Sequence, residues 1–398
     1  MGSTLPAASL ACAVYAGSKM ARRAQPERSR PGRGKIEVQN FENLPYKYKS
    51  MPLSQTLSTG QDFGFPGPVL VRQPAAVTLV DCGSGSTRAL FFRDDGKSHV
   101  CWEKSTWRGE ALATALQDEL RLENLLRLLQ QELPEGAVLL GATAGVREAV
   151  QDGSLDRSKV RHFEERVKAC LGSRAQFMVL SGEEEARAEW EALQHALAFT
   201  PGLQIGLFNG MMSGGGMSCQ LAVQADDAGL SLFSFRNGVL APGGLADAAQ
   251  RNSLLSGELE VRLGEARTIA RKQVAELPKQ LEGSFALVEW LGLYVAGEST
   301  ERDLLMGLGY NRWLKQQDIL QAVNEHLTSL GRQFLKGSVP IPRRVAISWL
   351  YGIILQEILE HCFDKDASFF CLKGINWSTG HYLQHRGALQ QELVLQTQ

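Results

Sequence analysis

The chain has 398 residues, of which 42 are Lys or Arg and 43 are Asp or Glu, so its formal net charge is −1. This length suffices for two domains with a sizeable core each, and the near-neutral charge gives no reason to expect a nucleic-acid partner. The 40 glycines are scattered rather than periodic, which excludes a collagen-like chain, and no apolar run reaches the roughly 18 residues of a membrane span. We expect a soluble protein of mixed α/β class.

The first 68 residues differ in composition from the rest of the chain. A short apolar stretch at residues 5–17 precedes a basic, proline-bearing run at residues 19–35, whereas a secretory signal carries its positive charges first. Periodic apolar residues are too sparse here to predict a packed element, so we predict a flexible basic N-terminal arm over residues 1–68. A cytoplasmic location is favoured, targeting to an organelle by the arm is the alternative, and the oligomeric state is left open.

The seven cysteines are odd in number and widely spaced, and they form no Cys-x-x-Cys pair and no metal-ligand spacing with histidine. Most lie within apolar segments, where a free cysteine behaves as a small apolar side chain. We predict reduced structural thiols rather than a disulfide framework.

From Val77 onward, apolar periodicity and turn residues predict a regular series of elements. Strands are expected at residues 77–80, 88–93, 99–103, 137–140 and 176–180, and helices at residues 109–132, 158–171 and 183–197. Three consecutive strands followed by alternating helices and strands are typical of a ribonuclease-H-like fold. A second round is predicted to begin with a strand at Ile205, followed by the glycine-rich Met212–Ser218 and strands at residues 219–224 and 230–235.

This repetition predicts a duplicated α/β architecture, with two ribonuclease-H-like lobes and an active-site cleft between them. The first lobe is expected to contain residues 69–180 together with residues 377–398. The second lobe, richer in helices, is expected to contain residues 181–376.

Five short segments carry the candidate chemistry, and the first is a turn after a strand that ends near Asp81. Small residues in such a turn let the backbone approach a ligand, and successive N–H groups can surround an anion. The aspartate is placed to hold a metal-bound water. An ordinary tight turn capped by Asp81 is the alternative. The turn contains Gly83, Ser84, Gly85, Ser86, Thr87 and Arg88.

The second segment, Gly141–Arg147, places the hydroxyl of Thr143 among glycine-flanked amides at a strand end, which also suits a phosphate. Arg147 taken alone is better explained by a salt bridge. The third segment begins a helix with three consecutive glutamates, Glu183–Glu185, and the helix dipole favours acids there whatever the function. One glutamate facing the cleft would suffice as a general base toward water.

The fourth segment is a second glycine-rich turn, with Gly210 and Gly214–Gly216 inside seven residues. This density favours a close approach of the backbone to a ligand. The fifth segment, Asn376–Tyr382, is an aromatic turn that leads into a helix.

In this order, the five segments resemble the five signature regions of the apyrase family of nucleoside phosphatases, part of the actin and sugar-kinase superfamily. The first resembles that family's Asp-Ala-Gly-Ser-Ser-x-Thr phosphate loop, and the second is similar to its Gly-Ala-Thr-Ala-Gly-Met-Arg region except at Val146. The third keeps the family's glutamate-to-tryptophan spacing at Glu185 and Trp190, which assigns the catalytic base to Glu185. The fifth resembles a Trp-Thr-Leu-Gly region at Trp377, Thr379 and Gly380.

The fourth segment departs from the family. The corresponding apyrase region reads Asp-x-Gly-Gly-x-Ser-x-Gln. In this chain Ser213 occupies the position of that aspartate, and serine is a weaker ligand for metal-bound water. Asn209, four residues before Ser213, is the candidate that could partly take the place of the aspartate. Glu185-Ala186-Arg187 and Arg147-Glu148-Ala149 are closer to the exopolyphosphatase and guanosine-pentaphosphatase family, which shares the glutamate base and both phosphate loops. Trp190 and the fifth segment favour the apyrases.

The resemblance implies a nucleoside tri- or diphosphate phosphohydrolase, in which Glu185 activates water for attack on the terminal phosphorus of a nucleotide such as ATP. It implies Mg²⁺ or Ca²⁺ held through water by Asp81 and Ser213, with Trp190 and Trp377 as supporting residues. The implied phosphate- and nucleotide-binding residues are Gly83, Ser84, Gly85, Ser86, Thr87, Arg88, Thr143, Gly214, Gly215, Gly216, Ser218 and Gln220.

Other functions fit the same residues. A hydrolase like the exopolyphosphatases or guanosine pentaphosphatases is one alternative, and a non-catalytic nucleotide-binding protein is another, because Ser213 replaces the usual aspartate. A sugar kinase is least favoured, since no segment matches a kinase's acceptor-side aspartate. The expected partner is a nucleoside di- or triphosphate, and the base of the nucleotide is left open.

Overall fold

The computed structural model describes residues 76–94, 99–102, 109–198, 203–225, 229–237, 259–290, 311–336, 343–372 and 375–385. All of them belong to one unit of the chain, Tyr46–Gln398. The predicted N-terminal arm over residues 1–68 lies outside the described residues.

The first sheet has five strands in the order β3-β2-β1-β4-β5. Strands β1, β2 and β3 pair antiparallel, whereas β1, β4 and β5 pair parallel. This is the predicted ribonuclease-H-like order, and β1 lies at its centre because its apolar residues are covered on both faces. The strands are β1 (Ala76–Cys82), β2 (Thr87–Asp94), β3 (His99–Trp102), β4 (Ala137–Ala142) and β5 (Ala175–Val179).

Helices in this half of the chain are α1 (Leu112–Ala115), α2 (Glu119–Glu132), α3 (Ala144–Gln151), α4 (Arg157–Leu171) and α5 (Gly182–Ala198). The prediction of a single helix over residues 109–132 is wrong, because the chain forms α1 and α2 there. Asp118 begins the second helix, since its carboxylate accepts a hydrogen bond from the amide of Arg121 at 3.1 Å. The apolar spacing continues through the break and therefore concealed it.

The second sheet has six strands in the order β10-β11-β9-β6-β7-β8. Strands β6, β7 and β8 pair antiparallel, and β6, β9 and β11 pair parallel. Apart from β10, an antiparallel edge strand, this order repeats the first sheet with β6 in the place of β1. The strands are β6 (Gly210–Gly214), β7 (Ser218–Ala225), β8 (Gly229–Arg236), β9 (Ser284–Trp290), β10 (Trp313–Lys315) and β11 (Ser368–Leu372).

The predicted start of the second half is wrong. Ile205–Leu207 forms a 3-10 turn, and the first strand instead occupies the glycine-rich Gly210–Gly214. A Cβ atom at Gly210 would lie 2.1 Å from the carbonyl oxygen of Ala222 and 2.9 Å from the ring of Phe285. Packing inside the sheet therefore requires this glycine, which local sequence chemistry had assigned to a turn region.

Four further helices complete the described chain: α6 (Leu259–Val274), α7 (Gln316–Lys336), α8 (Arg343–Cys362) and α9 at residues 377–385. Helices α1 to α4 pack on one face of the first sheet, and Trp377 and Tyr382 of α9 pack on the other face. Helices α6 to α8 pack on one face of the second sheet, and α5 packs on the other through Trp190 and Leu193. Ala188 of α5 also contacts the core of the first sheet, so α5 lies between the two sheets.

Among the described helices, none combines the length and the apolar character that crossing a lipid bilayer requires.

The described cysteines are free thiols, as predicted, and burial raises the pKa of Cys82 and of Cys219 far above the ordinary range. Thiols of this kind are unreactive apolar side chains. The free thiols among the described residues are Cys82, Cys170, Cys219, Cys362 and Cys371, and all of them except Cys170 are buried.

Candidate functional site

Asp81 is held by one partner on each carboxylate oxygen. Its Oδ2 accepts a hydrogen bond from Nε of Arg88 at 2.9 Å, because the two residues face each other in the β1–β2 pair. Its Oδ1 accepts from the indole N–H of Trp377, also at 2.9 Å. The carboxylate is buried near the C-terminal end of β1. These contacts fix Asp81 and bring the fifth sequence segment to the first.

The first glycine turn, residues 83–86, packs directly against the start of α3. A Cβ atom at Gly145 would lie 2.8 Å from Cα of Ser84, so only glycine permits this approach. The amides of Ser84, Gly85 and Ser86 donate to no backbone carbonyl within the described residues. Thr87 differs, because its buried hydroxyl donates to the carbonyl of Glu110 at 2.7 Å and is engaged in holding the fold.

The second glycine turn, residues 215–217, reaches the same place from the other sheet. Met217 contacts Ala144, the first residue of α3, and both side chains are buried. Thr143 is the N-cap residue of α3, yet its side chain makes no capping hydrogen bond. The start of α3 therefore lies between the two glycine turns, with the hydroxyl of Thr143 not used by the helix.

Of the three consecutive glutamates, only Glu185 is buried. Glu184 closes a capping box, since its carboxylate accepts from the amide of Ser181 at 2.7 Å while its own amide donates to the Ser181 hydroxyl at 3.1 Å. Glu183 is exposed. At the start of this helix, Glu184 therefore serves as a cap, Glu183 is exposed to solvent, and Glu185 is buried.

Arg147 connects Glu185 to the second sequence segment. Its Nη1 lies 3.2 Å from Oε2 of Glu185 and donates to the carbonyl of Leu180 at 2.9 Å. Its Nε donates to Glu148 at 3.3 Å. Arg147 is therefore the salt-bridge residue that its sequence context favoured, and it orients Glu185 rather than extending into open space.

The carboxyl group of Glu185 is tuned toward neutral pH. Burial raises its pKa to about 7, the guanidinium of Arg147 opposes this shift, and the charges of Asp81 and Glu148 add to it. A carboxylate that titrates near the working pH is suited to accept a proton from water.

Glu189 is a buried site residue that the sequence analysis missed. It lies one turn after Glu185 on α5, and the hydroxyl of Ser213 is hydrogen-bonded to its Oε2. Burial raises its pKa to about 8, and the charge of Glu185 adds to the shift. The spacing of four residues from Glu185 was an available sequence signal, because such residues share one helix face.

Ser213, Gln220 and Ser218 form a buried polar cluster beside Glu189. Ser213 and Gln220 are opposite each other in the β6–β7 pair, with Oγ and Oε1 3.3 Å apart. Nε2 of Gln220 lies 2.7 Å from Oγ of Ser218. Ser213 was expected to hold metal-bound water, but its hydroxyl is engaged by Glu189 and Gln220.

The second glycine turn is also held by two residues that the sequence did not single out. The side-chain amide of Asn237 and the hydroxyl of Tyr351 both donate to the carbonyl of Gly215 at 2.6 Å. The amide of Gly215 donates to the carbonyl of Ser218 at 2.8 Å and closes the hairpin. The amides of Gly216 and Met217 donate to no backbone carbonyl in the part of the chain that is described.

Two of the glycines serve tryptophan packing. A Cβ atom at Gly141 would lie 2.1 Å from Cη2 of Trp377, and one at Gly214 would lie 2.5 Å from the ring of Trp290. These positions were expected to admit a phosphate, but the space beside their Cα atoms is filled by indole rings. Gly141 thereby allows Trp377 to reach Asp81.

Two other sequence candidates lie away from this cluster. Trp190 is buried in the core between α5 and the second sheet, consistent with a supporting position. The side-chain oxygen of Asn209 accepts a hydrogen bond from the amide of Ser284 at 2.9 Å. Asn209 is thus engaged at the start of β6 and does not replace the missing aspartate.

The acidic side chains fit a hydrated divalent cation better than a directly ligated one. No group of three or more His, Cys, Asp or Glu residues among those described could hold an ion directly. The charge of Asp81 nevertheless adds to the rise in the pKa of both Glu185 and Glu189, which shows that negative charge is concentrated here. Carboxylate oxygens suit Mg²⁺, which retains several of its waters when it binds.

The two buried glutamates predict that the metal-free protein loses stability as pH rises. Both pKa values are raised in the folded state, to about 7 and about 8, so the folded protein binds more protons than the unfolded chain from about pH 4.5 upward. Unfolding by urea should require less denaturant at about pH 8.5 than at about pH 5.5, with a loss on the order of a few kcal/mol. Glu189→Gln should flatten this dependence, whereas the exposed control Glu183→Gln should keep it. Equal slopes in all three proteins would contradict the assignment.

No protein-family model matches the chain, and no curated protein matches it. Solved structures do match. A Ppx/GppA family member from Aquifex aeolicus is 16% identical with a TM-score of 0.53, covering 79% of this chain and 98% of its own. The type II variant of the Aquifex aeolicus Ppx/GppA phosphatase is 16% identical with a TM-score of 0.51, covering 78% and 99%. An exopolyphosphatase-like protein is 15% identical with a TM-score of 0.51, covering 80% and 100%.

At these identities, the similarity shows the fold. The predicted fold class is confirmed: the chain has a duplicated, two-sheet α/β architecture, and the similar solved structures share this fold. None of these three structures is an apyrase, so the more specific resemblance is not confirmed.

Proposed function

We propose that the cleft between the two sheets hydrolyses a terminal phosphoric anhydride bond, with water activated by Glu185. The observation that carries this proposal is the placement of Glu185, which is buried, held by Arg147 and tuned to a pKa of about 7. Both glycine turns meet at α3, which Arg147 belongs to. A base for water and two sets of amides for phosphate oxygens are the parts that such a reaction requires.

The substrate class that we propose is a linear polyphosphate, either inorganic or the phosphate chain of guanosine pentaphosphate. Glu185-Ala186-Arg187 and Arg147-Glu148-Ala149 are closer to the exopolyphosphatase and guanosine-pentaphosphatase family than to the apyrases. The similar solved structures carry exopolyphosphatase-like and Ppx/GppA names. Both considerations favour this substrate class over an ordinary nucleotide.

Nucleoside tri- or diphosphate hydrolysis is the second candidate, and one contact favours it. Trp377 belongs to the segment that resembles the apyrases, and its indole donates to Asp81. The chain therefore uses the fifth apyrase-like segment at the site itself.

The residues have distinct roles in the proposed reaction. Glu185 accepts a proton from water as the water oxygen bonds to the terminal phosphorus, and the bond from phosphorus to the bridging oxygen breaks. The bridging oxygen leaves with the electron pair on the shortened chain. The amides of Ser84–Ser86 and of Gly216 and Met217 bind phosphate oxygens, and Thr143 donates from the start of α3. Arg147 keeps Glu185 aligned with the attacking water.

A divalent cation fits this reaction. Asp81 would hold Mg²⁺ through its waters, and the ion would neutralise the charge on the phosphate oxygens. Ca²⁺ is the alternative ion.

Phosphate release from a panel of substrates tests the proposal. With Mg²⁺ present, tripolyphosphate, long-chain polyphosphate and guanosine pentaphosphate should release phosphate faster than ATP or ADP. A preference for ATP and ADP would establish the second candidate instead. No release from any of these substrates with Mg²⁺ or Ca²⁺ would refute hydrolysis and favour the non-catalytic nucleotide-binding protein.

A further inference from the structure

A continuous chain of buried polar side chains connects helix α5 to the second glycine turn. It runs from Glu189 to Ser213, then to Gln220 on the neighbouring strand, and then to Ser218 at the end of the turn. All four residues are at most 9% exposed. Glu189 is the member of this chain that belongs to α5, the helix that also carries Glu185.

The available protons allow these hydrogen bonds to be donated in either direction along the four side chains. Ser213 has one hydroxyl proton but contacts an oxygen of Glu189 and the side-chain amide of Gln220. If the proton goes to Glu189, the amide of Gln220 turns its NH₂ group to Ser213 and accepts from Ser218. If Glu189 carries a proton, Ser213 donates to Oε1 of Gln220, whose NH₂ group donates to Ser218. Side-chain amides can be placed either way round, so both arrangements satisfy every member.

This chain of hydrogen bonds connects the two functional parts of the cleft, which are Glu185 and the second glycine turn. Glu185 is one helical turn before Glu189, and the second glycine turn begins two residues after Ser213. Asn237 and Tyr351 hold Gly215 from the body of the second sheet. Glu189 holds the same hairpin from α5, which fixes the turn relative to the carboxyl group of Glu185.

We propose that Glu189 is a positioning residue, which aligns the second glycine turn with Glu185 by way of Ser213 and Gln220. This inference rests on the proposed function, because the alignment matters for attack of water on a bound phosphate. Ser213 is then the residue that this arrangement requires. An aspartate at 213 would place a second carboxylate against the buried Glu189, and two adjacent buried carboxylates disfavour each other.

The kinetic test compares substitutions at both ends of the first link. Glu189→Leu and Ser213→Ala should each lower kcat for tripolyphosphate by about tenfold or more, with KM changed less than about threefold, because misalignment affects attack more than binding. Glu189→Gln should stay within about threefold of wild type, since an amide can donate to or accept from Ser213. The double variant Glu189→Leu/Ser213→Ala should be no worse than the worse single variant. Ser213→Asp should lower turnover.

A second measurement reports on the turn without substrate. Hydrogen exchange of the segment 213–220 should be faster in Glu189→Leu and Ser213→Ala, and unchanged in Glu189→Gln and in the control Glu183→Gln, an exposed residue on the same helix. All variants are compared well below their unfolding midpoints. If Glu189→Leu does not fold, Ser213→Ala tests the same link.

The outcomes separate this inference from the proposed function. A wild-type protein that releases no phosphate refutes the function. An active wild type with unaltered kinetics and exchange in Ser213→Ala and Glu189→Leu overturns the positioning role, and so does Ser213→Asp with raised turnover. Slow turnover in Glu189→Gln also overturns it, because the hydrogen-bond chain would then not be the feature that matters.

Discussion

Glu185→Gln should lower kcat for phosphate release by roughly 10²- to 10⁴-fold while leaving KM within a few-fold of wild type. Glutamine keeps the size of the side chain and can still accept from Arg147, but it cannot take a proton from water. Substrate binding should survive, because the amides of both glycine turns are unchanged. Steady-state release of phosphate from tripolyphosphate, with Mg²⁺ present, measures the effect.

Glu183→Gln is the matched control for this substitution. It removes a carboxylate from the same helix turn, but at an exposed position. We expect wild-type kinetics from it. Activity that survives Glu185→Gln would refute the assignment of Glu185 as the base, whichever substrate proves best.

Gly141→Ala should destabilise the fold and weaken the site together. The new Cβ atom would lie 2.1 Å from Cη2 of Trp377 and 2.9 Å from a methyl carbon of Leu180, and both side chains are buried. The indole ring must therefore move, which breaks its hydrogen bond to Asp81. Overpacking of this kind costs about 1–3 kcal/mol, and kcat/KM should fall as well. Urea unfolding and phosphate release measure the two effects.

Gly85→Ala provides the stability control. No heavy atom lies within 4 Å of a Cβ atom built at Gly85, and this glycine is exposed in the first turn. Its free energy of unfolding should stay close to that of wild type. Equal stability of Gly141→Ala and Gly85→Ala would contradict the packing role of Gly141.

Much of the first half of the fold could be predicted, because its signals are local. Apolar runs ending in small or acidic residues identified β1 and β4, and Asp81 and Thr143 follow from where those strands end. Glu185 was selected from three neighbours by its spacing to Trp190 in a resemblance. The structure adds an independent reason, since Glu184 is used in the capping box and Glu183 is exposed.

The strands of the second half were less predictable, because the glycines there are required by contacts with residues distant in sequence. Gly210 is in a strand because Ala222 and Phe285 approach it closely, and Gly214 makes room for Trp290. A local pattern cannot distinguish such glycines from those of a turn. The sequence therefore placed the strand at Ile205, several residues too early.

Glu189 was missed for a related reason. An acid in the middle of a helix is usually on its exposed face, and nothing adjacent in sequence shows that Ser213 lies opposite. Its position four residues after Glu185, between Ala188 and Trp190, was the one local indication of a buried face. In the proposed arrangement Ser213 and Glu189 are explained together, because an aspartate at 213 would place a second carboxylate against the buried Glu189.

The origin of the oxygen in the released phosphate tests the central claim most directly. We predict that tripolyphosphate incubated with the protein and Mg²⁺ in H₂¹⁸O yields phosphate with one labelled oxygen per molecule released, and that Glu185→Gln yields almost none. Mass spectrometry of the phosphate provides the measurement. Unlabelled phosphate, or transfer of the terminal phosphoryl group to an alcohol instead of water, would contradict hydrolysis by a Glu185-activated water.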